Sequence, residues 1–120
     1  MNQKKKVLII DDEKDFCLLF KTYLLKKGFE AFVANSLAEG FEMIKTVQPD
    51  IIFLDNNLPD GYGWDKAGKI SRENPSLKIN LISAYKQSTA PAISSQVTIW
   101  EKPLDRTLLD NYFIQNKFFA

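Results

Sequence analysis

Three short apolar runs, each followed by charged residues, constrain the fold of this chain more than any other feature. An apolar run rich in β-branched residues is typical of a strand buried on both faces, as in a parallel sheet covered by helices. Parallel strands end at one edge of their sheet, where open α/β folds bind ligands. We therefore expect the charges to form one site. The runs are Val7–Ile10 before Asp11 and Asp12, Ile51–Leu54 before Asp55, and Val97–Trp100 before Glu101 and Lys102.

Length and composition fit one α/β domain over residues 1–120, without an output domain. The hydrophobic content of 45% over 120 residues is enough to build one core. A net charge of +1 gives no electrostatic basis for binding nucleic acid or an acidic membrane surface. No apolar stretch approaches the roughly 20 residues of a membrane span. We expect no signal peptide and a cytoplasmic protein that contacts neither membrane nor nucleic acid directly.

Strand-like and helix-like segments alternate along the chain, which predicts βαβ units. Besides the three runs, strands are predicted over Phe29–Ala34 and Leu77–Ile82. Helices are predicted between the strands and after the last one: from Asp12 to Gly28, from Ser36 to Pro49, from about Trp64 to Glu73, from Tyr85 to Gln96, and after Pro103. The fourth is the weakest helix, since it is rich in Ser and Thr and contains Pro91.

Local signals mark the ends and faces of these helices. Asp12 is predicted to cap the first helix, and Ser36 with Glu39 forms a predicted capping box at the second. The lone Cys17 is expected to be a small buried hydrophobe. Phe118 and Phe119 are expected to cap the core. Helical spacing predicts apolar faces that comprise Phe16, Leu19, Phe20, Tyr23 and Leu24 in the first helix, Leu37, Phe41, Ile44 and Val47 in the second, and Leu104, Leu108, Leu109, Tyr112 and Phe113 in the last.

Four motifs, each after its own predicted strand, resemble the receiver domain of two-component response regulators. The resemblance runs from Lys6 to about Asn116. It implies a flavodoxin-like fold, a doubly wound five-stranded parallel sheet with helices on both faces and strand order 2-1-3-4-5. One motif alone would be weak evidence, but four at consistent positions are specific. The motifs are Asp11-Asp12-Glu13, Asp55 with the loop through Asn57, Pro59 and Gly63, Ser83-Ala84, and Lys102-Pro103.

The resemblance implies that Asp55 is a nucleophile that accepts a phosphoryl group from phosphohistidine. A carboxylate accepts this group only if the repulsion between two anions is relieved, which a divalent cation and an ammonium group can do. Lys102 would neutralise one phosphate oxygen, and Ser83 would donate a hydrogen bond to another. The Lys102–Pro103 bond is implied to be cis, which would aim the lysine.

The implied metal is Mg²⁺, or Mn²⁺ in its place, held by oxygen atoms at the same edge. Mg²⁺ prefers an octahedral shell of carboxylates, carbonyls and retained waters. Asp12, Asp55 and the backbone carbonyl of Asn57 are the implied ligands, with Asp11 acting partly through water. Glu13 is expected to serve the N-terminus of the first helix instead, and Asp60 is expected to face solvent.

Each motif also has a simpler structural interpretation. An acidic pair after a strand is often a helix cap, and Asp-Gly or Lys-Pro is usually a turn or loop. Only the combination favours a site. The chain also departs from the family: Ser83 stands where Thr is usual, and Ile99 stands at the position of the aromatic switch residue, with Trp100 on the opposite pleat. The stretch from Ser83 to Lys102 is short, so we do not predict the usual dimer.

The sequence thus predicts a stand-alone receiver that is not an enzyme and that signals through changed protein contacts. The chain contains no histidine, so a sensor histidine kinase or histidine phosphotransfer protein must supply the phosphoryl group. The downstream protein target and the pathway are not identified by the sequence. One alternative is an interaction module of the same fold that acts without phosphate. Another is an aspartyl-nucleophile phosphatase, which needs a second carboxylate as acid and base. The residue two positions after Asp55 is the amide Asn57.

Overall fold

The computed structural model describes residues 4–84 and 96–118, and its elements alternate as the sequence predicts. Residues 85–95 lie outside the described part, and so does the helix predicted over Tyr85–Gln96, except for Gln96. In chain order the elements are β1 (Lys6–Ile10), α1 (Lys14–Lys26), β2 (Glu30–Ala34), α2 (Leu37–Val47), β3 (Ile51–Asp55), β4 (Asn57–Leu58), β5 (Gly61–Tyr62), α3 (Gly63–Glu73), β6 (Lys78–Ser83), β7 (Val97–Glu101) and α4 (Arg106–Gln115).

The five longer strands form one sheet in the order β2-β1-β3-β6-β7, and all four pairings are parallel. The predicted fourth and fifth strands are β6 and β7, so the predicted order 2-1-3-4-5 is confirmed. The loop after Asp55 contains a feature that was not predicted, a two-residue antiparallel pairing of β4 with β5. All the parallel strands end at the same edge, which places their C-terminal residues together.

The two faces of the sheet are packed with different side chains. The buried residues that face α2 and α3 form one cluster and are mainly aliphatic. Among the described residues, Trp64 of α3 is the only aromatic side chain buried in this cluster. Towards α1 and α4 the cluster is aromatic. Its buried rings are Phe20, Phe29, Phe53 and Phe113, and Phe16, Tyr23, Trp100, Tyr112 and Phe118 pack partly buried against them. Rings of this kind meet edge-to-face, as Phe20 and Phe53 do with centroids 4.7 Å apart.

Burial on both faces is confirmed for the central strands but wrong for β7. Every apolar residue of β1 and β3 from Val7 to Ile10 and from Ile51 to Leu54 is at most 1% exposed. On β7, Ile99 is 45% exposed and Trp100 is only half-buried. The physical reason is position: β7 is the edge strand, so its apolar run has a neighbouring strand on one side only.

A buried polar network attaches this edge strand. The Trp100 Nε1 donates to Asn80 Oδ1 at 2.9 Å. The Asn80 Nδ2 in turn donates to the Ile52 carbonyl and to the Tyr112 hydroxyl, both at 3.1 Å. Asn80 is fully buried on β6. One side chain therefore joins β3, β7 and α4.

The helix ends agree with prediction at α2 and differ at α1. Ser36 caps α2 by accepting from the Glu39 amide at 3.1 Å. This bond confirms the part of the predicted capping box in which the serine side chain binds a helix amide. The N-cap of α1 is Glu13 rather than Asp12, and its side chain forms no capping bond. Asp12 does not cap α1 because the helix begins one residue later than predicted, at Lys14. The Glu13 amide donates to the Asp11 carboxylate at 2.9 Å.

The predicted apolar faces of the helices are mostly confirmed, with three errors. Leu104 lies before the last helix, which begins at Arg106. Leu19 on α1 is 74% exposed and Leu108 on α4 is 58% exposed, because each lies beside the face that packs on the sheet. Cys17 is buried, as predicted, and the Phe118 ring packs on Phe113. Phe119 lies outside the described residues. No described helix has the length and apolar character required to span a bilayer.

Candidate functional site

The ends of β1 and β3 bring three carboxylates together. Asp11 directly follows β1 and is fully buried, Asp55 is the last residue of β3 and is 5% exposed, and Asp12 is exposed. One oxygen from each carboxylate lies within 4.8 Å of the others. The cluster forms here because β1 and β3 are neighbouring parallel strands in register, with Ile10 beside Leu54. The sequence predicted this convergence.

Lys102 enters the cluster from the edge of the sheet. Its amide donates to the Ser83 carbonyl at 2.8 Å, and the Lys102–Pro103 peptide is cis, as the resemblance implied. The ammonium nitrogen lies 2.7 Å from Asp11 Oδ2 and 3.7 Å from Asp55 Oδ1. The Lys102 side chain is only 10% exposed. The ammonium group is thus held inside the acidic cluster.

Two further residues contact Lys102, and neither was predicted to do so. The Glu13 Oε1 lies 2.8 Å from the ammonium nitrogen, and the Phe16 ring centroid lies 4.4 Å from it, within cation–π range. Glu13 does occupy the N-cap position, but its carboxylate binds Lys102 instead of the helix amides. No local sequence signal links Glu13 to a lysine 89 residues away.

Burial and crowding alter the acidity of the site. Burial, followed by the neighbouring Asp11 charge, raises the pKa of Asp55 to about 6, against the opposing effect of Lys102. Burial also raises the pKa of Asp11, against its bonds to Lys102 and the Glu13 amide. For Lys102, burial opposes the charged form, but the bonds to Asp11 and Glu13 outweigh it and raise the pKa. The neutral form of Asp55 is therefore favoured mainly by burial, and repulsion from Asp11 adds to that effect.

Ser83 and Asn57 occupy the positions that the sequence suggested. Ser83 ends β6, is 2% exposed and lies in register with Glu101. Asn57 begins β4, two residues beyond Asp55, and is exposed. Both residues are therefore at the carboxyl edge of the sheet. Their roles toward a ligand remain predictions.

The loop after Asp55 is tightly fixed. A Cβ atom on Gly63 would lie 2.1 Å from the Asp55 carbonyl oxygen, so only glycine fits at this close approach. The Gly63 amide donates to the Asn56 carbonyl at 2.8 Å, and the Trp64 amide donates to Asn56 Oδ1 at 3.2 Å. The loop therefore holds the backbone of Asp55 against the start of α3.

Asp60 anchors the same loop to a second helix. It is exposed, as expected, but its carboxylate also accepts from the Leu37 and Ala38 amides at 2.8 and 2.9 Å. These bonds to the N-terminus of α2 lower the pKa of Asp60. The expectation that Asp60 faces solvent is confirmed, but its bonds to α2 were not predicted, since no sequence signal linked this turn to that helix.

The donor set fits a hard divalent cation. Carboxylate oxygens are ligands that Mg²⁺ prefers, and the three that converge here lie at the spacing of a common ligand shell. A dication would also favour the charged form of Asp55, against the burial and the repulsion that raise its pKa. Asp11, Asp12 and Asp55 are the described residues that could hold it.

Comparison with known proteins shows which family shares this arrangement. The family model described as response regulator receiver domain matches residues 7–111. The chain is 34% identical over 84 residues to the chemotaxis protein CheY of Thermotoga maritima, a match covering 69% of this chain and 70% of that protein. Matches to three longer curated relatives span only 18 to 35% of those proteins.

Solved structures show the same fold. A two-component response regulator from Clostridium difficile superposes with a TM-score of 0.85 at 29% identity, covering 93% of this chain and 94% of that one. The response regulator protein TrrA from Thermotoga maritima, solved in complex with Mg²⁺ and BeF, gives a TM-score of 0.77 at 23% identity. That match covers 96% of this chain and 99% of TrrA.

Proposed function

The chain belongs to the response regulator receiver domain family, and from this membership we propose that it acts as a phosphoacceptor with Asp55 as the acceptor residue. The observation that carries the proposal is the position of Asp55: its carboxylate is grouped with those of Asp11 and Asp12, and 3.7 Å from the Lys102 ammonium nitrogen. The side chains proposed as nucleophile, metal ligands and counter-charge thus lie together at one edge of the sheet.

The proposed step transfers a phosphoryl group between two proteins. A carboxylate oxygen of Asp55 attacks the phosphorus of a phosphohistidine, the new oxygen–phosphorus bond forms as the nitrogen–phosphorus bond breaks, and the imidazole leaves with the electron pair. Later attack by water on phosphorus releases inorganic phosphate and restores Asp55. Both steps gather negative charge on the phosphoryl oxygens, so positive charge near Asp55 lowers both barriers.

The chain supplies the surroundings for that charge. When bound, Mg²⁺ would neutralise phosphoryl oxygens, and we propose Asp11, Asp12, Asp55 and the Asn57 carbonyl as the groups that hold it. Lys102 would contact one phosphoryl oxygen, and Ser83 would donate a hydrogen bond to another. Mn²⁺ has the same preference for oxygen ligands and could replace Mg²⁺.

The donor and the output both involve other proteins. The chain contains no histidine, so a sensor histidine kinase or histidine phosphotransfer protein is the proposed donor. Output would follow from changed protein contacts rather than catalysis on another substrate, in a protein that acts in the cytoplasm. The observed acidic cluster favours this function over an interaction module that works without phosphate, because such a module has no need for crowded carboxylates.

Phosphorylation by a small acyl phosphate tests the proposal without the cognate donor. With Mg²⁺ and acetyl phosphate, intact-protein mass spectrometry should show one added phosphoryl group on the parent protein. Asp55→Ala should show none, because the acceptor oxygen is gone. Asp65→Ala, an exposed acid in the first turn of α3, is the matched control and should be modified like the parent. Equal modification of Asp55→Ala and Asp65→Ala would contradict the assignment.

A further inference from the structure

The Lys102 ammonium group lies closer to the start of α1 than to the proposed acceptor. The nitrogen is 2.7 Å from Asp11 and 2.8 Å from Glu13, with the Phe16 ring centroid 4.4 Å away. Its distance to Asp55, 3.7 Å, exceeds hydrogen-bond range. Two ion-paired carboxylates, of which Glu13 also accepts a hydrogen bond, and one ring therefore hold this charge beside the β1–α1 corner.

We propose that Glu13 is a positioning residue that holds Lys102 away from Asp55 until a phosphoryl group arrives and takes its place. The inference rests on the proposed function of Asp55. In the resting protein Glu13 shares the ammonium with Asp11. In the phosphorylated protein a phosphoryl oxygen replaces the Glu13 carboxylate, and Asp11 keeps its contact.

The exposure of the two acids decides which contact is exchanged. The Asp11 side chain is fully buried, so breaking its ion pair would leave a buried charge without a counter-charge. The Glu13 side chain is 59% exposed, so water can solvate its carboxylate as soon as Lys102 leaves. Glu13 is therefore the partner that can be released at small energetic expense.

The exchange makes Glu13 a competitor of the phosphoryl group. Both are anions that attract the same ammonium group, whose nitrogen lies 2.8 Å from Glu13 Oε1 and 3.7 Å from Asp55 Oδ1. A phosphoryl group that displaces Glu13 binds less tightly than one that finds Lys102 free. Removing the Glu13 charge should therefore strengthen the response to a phosphoryl mimic without altering the fold.

Calorimetric titration with beryllofluoride at saturating Mg²⁺ measures this competition. Glu13→Gln should bind the mimic about threefold more tightly than the parent protein, the size expected for loss of one partly exposed ion pair. Asp15→Asn is the matched control, since Asp15 lies in the same first turn of α1 and forms no ion pair with Lys102 in the described structure. Its affinity should stay close to that of the parent.

A second readout follows Lys102 itself. The Lys102 side-chain NMR signals of Glu13→Gln, with Mg²⁺ alone, should move part of the way towards their position in the beryllofluoride complex, while Asp15→Asn leaves them in place. Equal affinities and equal signals for the two variants would overturn the inference while leaving Asp55 as acceptor. Absence of beryllofluoride binding to the parent would overturn the proposed function, and the free-protein signals would still show whether Glu13 positions Lys102.

Discussion

The central strands and the edge strand contribute to the same site but are held by different forces. β1 and β3, which position Asp11 and Asp55, are covered by apolar side chains on both faces. β7, which leads into Lys102, is half-exposed and is held by the Asn80 network and by backbone pairing with β6. The acids are thus fixed by non-directional burial, while the ammonium is placed by directional hydrogen bonds.

Because of this difference, the central strands and the edge strand should respond differently to substitutions. Burial on both faces leaves the acids of the central strands little room to move, and their mutual repulsion must be relieved by a cation. The edge strand needs only a few specific bonds to keep its position, so Lys102 can be shifted by small changes nearby. The contrast predicts where substitutions should have large effects.

Truncation at the centre should have the largest effect on stability. Phe53→Ala removes a fully buried ring between Phe20 and Phe113 and should lower the free energy of unfolding by about 3–5 kcal/mol. Urea unfolding measures this. Ile99→Ala on the edge strand, where the side chain is 45% exposed, is the matched control and should lose less than about 1 kcal/mol. Similar losses at both positions would remove the distinction between centre and edge.

The central acids should make the metal-free protein less stable as pH rises. The pKa of Asp55 is raised from 3.8 to about 6 by burial and by Asp11, so the folded state keeps a proton that the unfolded chain releases earlier. Stability should therefore fall between about pH 4 and 6, by on the order of 2–3 kcal/mol at pH 7. Asp55→Asn should abolish most of this fall.

Thermal unfolding between pH 4 and 7, with EDTA and then with Mg²⁺, measures the effect. Mg²⁺ should restore stability to the parent at pH 7 and have much less effect on Asp55→Asn, because part of the ligand set is missing. A parent protein whose metal-free stability rises over this pH range would contradict a raised pKa of Asp55 in the folded state.

The edge network should be weaker than the central core but cooperative. Asn80→Ala leaves the Trp100 indole N–H without its partner and should cost about 1–3 kcal/mol of stability. Trp100→Phe removes the indole N–H that donates to Asn80. Because both changes disrupt one bond, the double variant should lose less than the sum of the two single losses. Strictly additive losses in urea unfolding would show that Asn80 and Trp100 stabilise the protein independently.

The sequence was informative where burial and periodicity decide the structure. The alternation of segments indicated the parallel sheet, and the charges after the apolar runs indicated the site edge where Asp11, Asp12, Asp55 and Lys102 now lie. The pattern of polar and apolar residues largely determines where the strands end, and these ends determine which side chains meet at the site.

The parts that sequence reasoning missed depend on three-dimensional pairing. Nothing in the local sequence says that Asp60 reaches the N-terminus of α2, that Glu13 pairs with a lysine 89 residues away, or that Asn80 binds Trp100. The exposure of Ile99 depended on which strand lies at the edge. Each of these contacts joins residues that are distant in the chain, so helical or strand periodicity carries no trace of them.

The most direct test of the shared site is an amide NMR spectrum of the Mg²⁺-loaded protein before and after addition of beryllofluoride, with Asp55→Ala as control. The account predicts shifts at Asp55, Ser83 and Lys102, which end or follow three different strands, and none of these shifts in the control. A folded parent protein whose spectrum does not change, or that changes equally in Asp55→Ala, would contradict the claim that centre and edge form one phosphoacceptor site.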